Sequence, residues 1–113
     1  MGGNMKVLKQ YPEILDKKTV FKMTKEESLK LSDCEGQELQ VDAFVFYEDV
    51  NAKGENVELL AIKSNEQVYA TVSKTFIDKF LEIDEMFRDD GYSIIVDGGT
   101  SKSGRHYLTC KLG

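Results

Sequence analysis

The sequence predicts a mainly β domain of five strands with one long helix between the third and fourth strands. Three observations support this prediction: five short segments of alternating polar and apolar residues, turn-forming residues between most of them, and one stretch of helical periodicity. This order of elements is typical of the OB-fold, a small, partly open barrel. We therefore predict one domain, with a five-stranded OB-fold barrel over residues 37–113 and an N-terminal extension packed on it over residues 1–36.

The first predicted strand covers residues 38–50 and is apolar on more than one face. Leu39, Val41 and Val45 alternate on one side, whereas Phe44 and Phe46 interrupt the otherwise polar side. A strand with this pattern is expected to curve and to change neighbours, as barrel strands do. Residues 51–56 follow with the asparagines and glycine of a hairpin turn.

Two further strands are predicted over residues 57–63 and 68–72, with a turn between them. In the second of these strands, Val68 and Ala70 alternate with Tyr69 and Thr71. We expect the valine and alanine to face the core and the tyrosine and threonine to face outward.

A helix is predicted over residues 74–88, with Ser73 as its N-cap and Gly91 just beyond its end. Its apolar residues recur at helical spacing and predict a core-facing stripe: Phe76, Ile77, Phe80, Leu81, Ile83 and Phe87. Its acidic residues are expected to form a solvated face: Asp78, Glu82, Asp84 and Glu85.

The last two strands are predicted over residues 92–97 and 105–112, joined by a glycine-rich loop. Alternation in the final strand places one set of residues outward: Arg105, Tyr107, Thr109 and Lys111. It places the other set toward the core: His106, Leu108, Cys110 and Leu112.

The first 36 residues give a weaker signal, and two interpretations stay open. Residues 19–23 alternate weakly and are compatible with a short strand. Residues 24–27 match a capping box that would begin a helical turn near Lys25.

The charge of the chain is unevenly distributed. The net charge is −5 overall, made up of +3 over residues 1–30, −11 over residues 31–97 and +3 over residues 98–113. An acidic protein is not the usual nucleic-acid binder. Because two basic ends flank an acidic middle, however, the partner depends on which segments the fold brings together.

Catalytic and metal-binding patterns are not evident in the sequence. Residues 99–106 superficially resemble a phosphate-binding loop, but Arg105 and His106 replace the required lysine and hydroxyl residue, and a strand follows instead of a helix. Cys34 and Cys110 lack metal-ligand spacing and are expected to be reduced thiols. We therefore predict no enzyme activity, no cofactor and no metal site. The absence of a signal peptide or an apolar span predicts a cytoplasmic protein.

The remaining candidate site combines aromatic and basic residues. Aromatic rings stack on unpaired bases of any sequence, and neighbouring lysines and arginines neutralise backbone phosphates. With only two arginines in the chain, base readout is expected to be sequence-tolerant. The candidates that we select on this basis are Lys53, Tyr69, Thr71, Lys74, Lys102, Arg105, Tyr107 and Lys111.

Three blocks of sequence indicate a family resemblance: residues 43–50 (AFVFYEDV), residues 68–75 (VYATVSKT), and residues 99–104 (GTSKSG) with the strand that follows. In these blocks the chain resembles small single-stranded DNA-binding proteins of phages that infect Gram-positive bacteria. The resemblance implies an OB-fold that coats single strands during replication, with tyrosines stacking on bases. It implies Tyr47 and Tyr69 as binding residues, and it places a hairpin aromatic of the family near Lys53.

We therefore expect sequence-independent binding of single-stranded DNA in phage-type replication or recombination, in the cytoplasm of a bacterial host. Replication proteins are further candidate partners, no membrane contact is expected, and the protein would act as a monomer or small homo-oligomer. An alternative is an acidic module that mimics DNA and docks on a basic partner. That alternative predicts that charge reversals at Asp78, Glu82 and Asp84 abolish function, whereas Tyr69→Ala does not.

Overall fold

The computed structural model describes residues 5–12 and 15–113 and is dominated by β-strands. The strands are β1 (Lys6–Tyr11), β2 (Leu29–Lys30), β3 (Glu38–Gln40), β4 (Ala43–Val50), β5 (Asn56–Ser64), β6 (Gln67–Thr71), β7 (Ser93–Thr100) and β8 (His106–Leu112). The helices are α1 (Lys17–Lys25) and α2 (Lys74–Phe87), with short 3-10 turns at Leu31–Asp33 and Arg88–Asp90. The predicted mainly β fold, with a long helix between two groups of strands, is confirmed.

The strands form two sheets that do not close into a barrel. One sheet has five strands in the order β1-β4-β5-β6-β2, and the other has three in the order β3-β7-β8. Neighbouring strands are antiparallel except β2 and β6, which are parallel. Within the described residues, no ladder joins β6 to β8, so the predicted closure of a five-stranded barrel is not seen.

The predicted strand over residues 38–50 is broken at Val41 and Asp42, and its two parts lie in different sheets. The first part, β3, pairs with β7, whereas the second part, β4, pairs with β1 and β5. The break changes the alternation, because Leu39 and Val41 before Asp42 and Phe44 and Phe46 after it all contact the same main core. The expected change of neighbours along this strand is therefore observed.

The main core collects apolar side chains from both sheets and from α2. Phe76, Ile77 and Phe80 of α2 are almost completely buried in it, which confirms the predicted stripe. Ser73 caps α2 as predicted, since its Oγ accepts a hydrogen bond from the Phe76 N–H at 3.3 Å.

One acidic residue of α2 is placed differently from the prediction. Asp84 was expected on a solvated face, but it is completely buried. Its Oδ2 accepts from Arg88 Nη2 at 2.6 Å and from Nε at 3.0 Å, while its Oδ1 accepts from the Tyr92 hydroxyl at 2.9 Å. These donors compensate for the loss of water around the carboxylate.

The N-terminal extension forms a helix that neither open interpretation predicted. Asp16 caps α1 by accepting from the Thr19 N–H at 3.0 Å, and the helix ends, rather than begins, at Lys25. Met23 of α1 is 2% exposed and packs on the outer face of the five-stranded sheet. The second core cluster formed there consists of Met23, Ala43, Val45, Tyr47 and Ala61.

This second cluster explains the sequence of β4. Because α1 covers one face of β4 and the main core covers the other, the strand is apolar on both sides. The extension also supplies β1, which pairs with β4, and β2, which pairs with β6. In the described part of the chain, no helix is long and apolar enough to cross a membrane.

Candidate functional site

On the β7–β8 hairpin, the aromatic ring of Tyr107 packs against the backbone of Gly99. Tyr107 lies opposite Gly99 in the ladder, and a Cβ added to Gly99 would lie only 2.5 Å from the Tyr107 hydroxyl oxygen and 2.6 Å from Cζ. The ring therefore lies directly against the Gly99 backbone. Tyr107 is 40% exposed and faces away from the buried Leu108 and Cys110. The result is an exposed ring that its neighbour holds in place.

Two basic residues lie at the tip of the same hairpin. The turn is closed by hydrogen bonds from the Ser101 N–H to the Arg105 carbonyl oxygen (2.8 Å) and from the Gly104 N–H to the Ser101 carbonyl oxygen (2.9 Å). Gly104 has φ +86°, which a side chain would disfavour. Lys102 and Arg105 are exposed, and neither forms an ion pair with any described residue.

The outward side of β8 extends this basic surface. Lys111 is exposed and has the same alternation as Tyr107, as predicted. We call Lys102, Arg105, Tyr107 and Lys111 the hairpin site. Asp97 lies opposite Thr109 on the same side of the ladder, so the surroundings of this site are less purely basic than the sequence of residues 98–113 indicates.

Of the β8 residues predicted to face the core, only the two in the middle of the strand are buried. Leu108 and Cys110 are buried, but His106 and Leu112 are exposed because the strand continues beyond the core at both ends. His106 Nε2 lies 2.8 Å from Glu35 Oε2, and both side chains pack over Gly98. His106 therefore shares a hydrogen bond with Glu35 at the surface and is not a packed core residue.

Tyr47 is not exposed to a ligand. It is 4% exposed beneath α1, and its hydroxyl donates to the Thr24 carbonyl oxygen at 3.4 Å. Burial raises the pKa of the Tyr47 phenol, and the nearby Asp49 carboxylate adds to that effect. In this arrangement the residue holds α1 on the sheet.

Tyr69 and Thr71 face the opposite way from the prediction. Tyr69 lies opposite Ile62 and Thr71 opposite Leu60, and both of these partners are completely buried in the main core. Tyr69 is half-buried and packs against that core. The prediction failed because α1 covers the outer face, so that β6 has apolar residues on both sides. Tyr69 and Tyr107 consequently do not share one outward surface.

The other predicted basic residues, Lys53 and Lys74, lie on elements outside the β7–β8 hairpin. Lys53 is exposed in the β4–β5 turn, where its N–H donates to Asn51 Oδ1 at 2.9 Å. Lys74 begins α2 and forms an exposed ion pair with Asp78 at 3.5 Å. The structure thus places four of the predicted residues on the β7–β8 hairpin and the rest on other elements. Of these elements, α2 begins close to β8, since the Ser73 hydroxyl donates to the Leu108 carbonyl oxygen at 3.3 Å.

The structure also reveals a basic cleft that the sequence interpretation missed. Lys18 and Lys22 of α1 line it together with Lys63 of β5. The signal that could have found it is the spacing of Lys18 and Lys22, which places both on one face of a helix. That signal has meaning only once Asp16 is recognised as an N-cap.

Comparison with protein-family models, curated proteins and solved structures gave no match to this chain. Among residues 5–12 and 15–113, no three His, Cys, Asp or Glu side chains cluster in a way that could hold a metal ion. The hairpin site and the basic cleft are therefore the features from which a function is inferred.

Proposed function

We propose that this protein binds single-stranded DNA without sequence preference, has no catalytic activity, and acts in phage-type replication or recombination inside a bacterial cell. The observation that supports this most directly is the exposed ring of Tyr107, held against Gly99 next to the unpaired Lys102 and Arg105. A flat ring flanked by cations suits an unpaired base and its phosphate.

The energetics of such a site favour single strands. Stacking of one base on an aromatic side chain contributes about 1–3 kcal/mol, and every base offers a face for it. In a duplex the bases are already stacked on each other, so the ring has no free face to contact. Cations at the turn release counterions from the phosphates they contact, which adds affinity that depends on salt.

The arrangement of strands supports an OB-type interpretation of the fold. OB-folds bind oligonucleotides partly through the loop between their first two strands and the loop between their last two. If β3 and β4 are taken as one bent first strand, these loops are the β4–β5 turn with Lys53 and the β7–β8 turn with Lys102. An open gap between β6 and β8 is compatible with the partly open barrels of this class.

The acidic-module alternative is less well supported by the contacts of α2. Asp84 is buried against Arg88 and Tyr92, so it cannot meet a partner. The exposed carboxylates of Asp78 and Glu82 lie within ion-pair distance of Lys74 and Lys79. Glu85, Asp89 and Asp90 are exposed and form no ion pair with a described residue, so the argument against this alternative rests on the burial of Asp84 and the pairing of Asp78 and Glu82.

Titration of fluorescein-labelled oligothymidine at two salt concentrations tests the proposal. The chain has no tryptophan, so anisotropy of the labelled DNA is the suitable signal. We expect Tyr107→Ala to weaken binding roughly fivefold to 150-fold, the equivalent of one lost stacking contact. Tyr47→Phe is the matched control, because it alters a buried tyrosine and is expected to leave affinity unchanged.

Two outcomes would contradict the proposal. One is the lack of detectable binding by the wild-type protein at low salt. The other is a Tyr107→Ala variant that remains folded by circular dichroism and binds with wild-type affinity.

A further inference from the structure

The basic cleft lies between α1 and the β5–β6 hairpin, on the outer face of the five-stranded sheet. Lys18 and Lys22 are one helical turn apart on α1, and Lys63 lies two residues after Ala61, which packs against α1 in the second cluster. Lys63 therefore points toward the helix. The cleft measures about 320 Å³, which is room for about ten water molecules.

The three lysines of the cleft carry charges that no ion pair among the described residues offsets. None of them forms an ion pair with a described residue, whereas Lys25, Lys74 and Lys79 each have a carboxylate within 4 Å. Among the described residues that line the cleft, Glu66 contributes one carboxylate against three ammonium groups.

Asp16 and Asp42 also lie near the cleft. Asp42 is beside Lys63, because its N–H donates to the Lys63 carbonyl oxygen at 2.9 Å, and its Oδ2 accepts from the Asn65 N–H at 2.9 Å. Asp16 is close to Lys18, but it already accepts the capping hydrogen bond from the Thr19 N–H, and this bonding is the main reason that its pKa is lowered. Both carboxylates accept hydrogen bonds from backbone N–H groups, and among the residues that line the cleft there are two more positive than negative charges, which a bound anion would offset.

We infer that the basic cleft is a second contact with the nucleic acid, and that Lys18, Lys22 and Lys63 bind phosphates of the single-stranded backbone. This inference rests on the proposed function. It gives the N-terminal extension a role in binding that the hairpin site alone does not require. Lysine ammonium groups on flexible stems suit phosphates, since they need no fixed geometry, and they read no sequence.

The shape of the cleft favours a chain of phosphates over a protein partner. Its apolar lining is limited to Met23 and Val68, and Met23 is already buried. A peptide partner would need a larger apolar anchor at the centre of its contact. A phosphodiester backbone needs only positive charge and room to pass.

The salt dependence of oligothymidine binding tests the inference. Each phosphate contact on a single strand contributes about 0.7 to the slope of log affinity against log salt. We expect Lys18→Gln/Lys22→Gln to lower that slope by about 0.7–1.4, for one or two lost contacts. Lys17→Gln/Lys79→Gln is the matched control, since it removes the same charge from α1 and α2 outside the cleft and is expected to change the slope much less.

Folding of each variant is checked by circular dichroism, and Lys63→Gln provides an independent probe on β5 if the helix variant is unstable. Nuclear magnetic resonance locates the contact. The amide signals of Lys22 and Lys63 should shift on titration with oligothymidine. Shifts with inorganic phosphate but none with the oligonucleotide would mean that the cleft takes a small phosphate instead, which would overturn the inference.

The failure of this inference can be distinguished from failure of the proposed function. If the wild-type protein does not bind oligothymidine, the proposed function fails. The inference about the cleft, which rests on that function, then fails as well. If the wild type binds and Tyr107→Ala weakens binding, but the cleft variant keeps the wild-type slope, only the inference fails. Equal loss of slope in the cleft variant and its control would also overturn it, because the effect would then follow net charge alone.

Discussion

Asp84 is a completely buried carboxylate held by Arg88 and Tyr92, and its removal should be costly. Breaking a buried ion pair by removing one partner typically costs 3–5 kcal/mol, because the other charge is left without compensation. Arg88 is 24% exposed and can regain some water, so we expect the lower end of that range. Asp84→Ala should lower the free energy of unfolding by about 3 kcal/mol, measured by urea denaturation.

Asp78→Ala is the control for this prediction on the same helix. Asp78 is 63% exposed in its pair with Lys74, and exposed pairs contribute at most about 1 kcal/mol. Similar losses in the two variants would contradict the view that the burial of Asp84 makes its pairing important.

The burial of Asp84 could have been predicted from the spacing of its neighbours. It lies four residues after Phe80 and seven after Ile77, which places it on the apolar stripe of the helix. The acidic composition of the helix suggested a solvated position for Asp84, whereas its spacing from Ile77 and Phe80 indicated a buried one. Its partners could not be chosen from sequence, because the contact with Tyr92 forms only when the chain turns after α2.

At the scale of elements, α1 is the cover of the outer face of the sheet, and Met23 is its buried contact. Removing a buried methionine side chain costs roughly 2–5 kcal/mol, through lost transfer energy and the cavity left behind. Met23→Ala should therefore lower the free energy of unfolding by about 2 kcal/mol or more. Urea denaturation measures this change.

Phe21→Ala is the control for this prediction within α1. Phe21 is 58% exposed, so its truncation should change stability by about 0.5 kcal/mol or less. If truncation of Phe21 costs as much as truncation of Met23, the packing of α1 described above is wrong.

The sequence predicted the elements after residue 37 but not β1, α1 or β2. The residues that begin this helix include Thr19 and Val20, whose branched side chains have low helix propensity, so packing on the sheet determines its conformation. The two phenylalanines on the supposedly polar side of β4 did indicate that both faces of this strand are covered. They could not show what covers the second face, and without α1 Tyr69 was wrongly expected to face outward.

At the scale of the whole molecule, the N-terminal extension contributes two strands to the five-stranded sheet. Its β1 pairs with β4 and its β2 with β6, while Met23 completes the second cluster. The two basic ends of the sequence therefore become two separate basic surfaces, the basic cleft and the hairpin site. Local alternation was sufficient to predict the hairpin site, whereas the cleft depends on contacts between residues that are far apart in sequence.

The buried thiols and phenols of the molecule make its stability sensitive to alkaline pH. Burial raises the pKa of the Cys110 thiol to about 12 from the usual 9.0, and it also raises the pKa of Cys34, Tyr47 and Tyr92. Above pH 9 the unfolded chain loses protons that the folded protein keeps, so stability is complete below that pH and falls as pH rises toward the folded-state pKa values.

We expect the free energy of unfolding to be nearly constant from about pH 7 to pH 8.5 and to fall beyond about pH 9. The Cys110 thiol alone contributes up to about 1.4 kcal/mol for each pH unit between its unfolded and folded pKa values. Urea denaturation across this range should therefore show a steeper alkaline loss for the wild type than for Cys110→Ala, whatever the variant costs at neutral pH. The same slope in both proteins would mean that this thiol is not shielded as the packing of β8 against α2 requires.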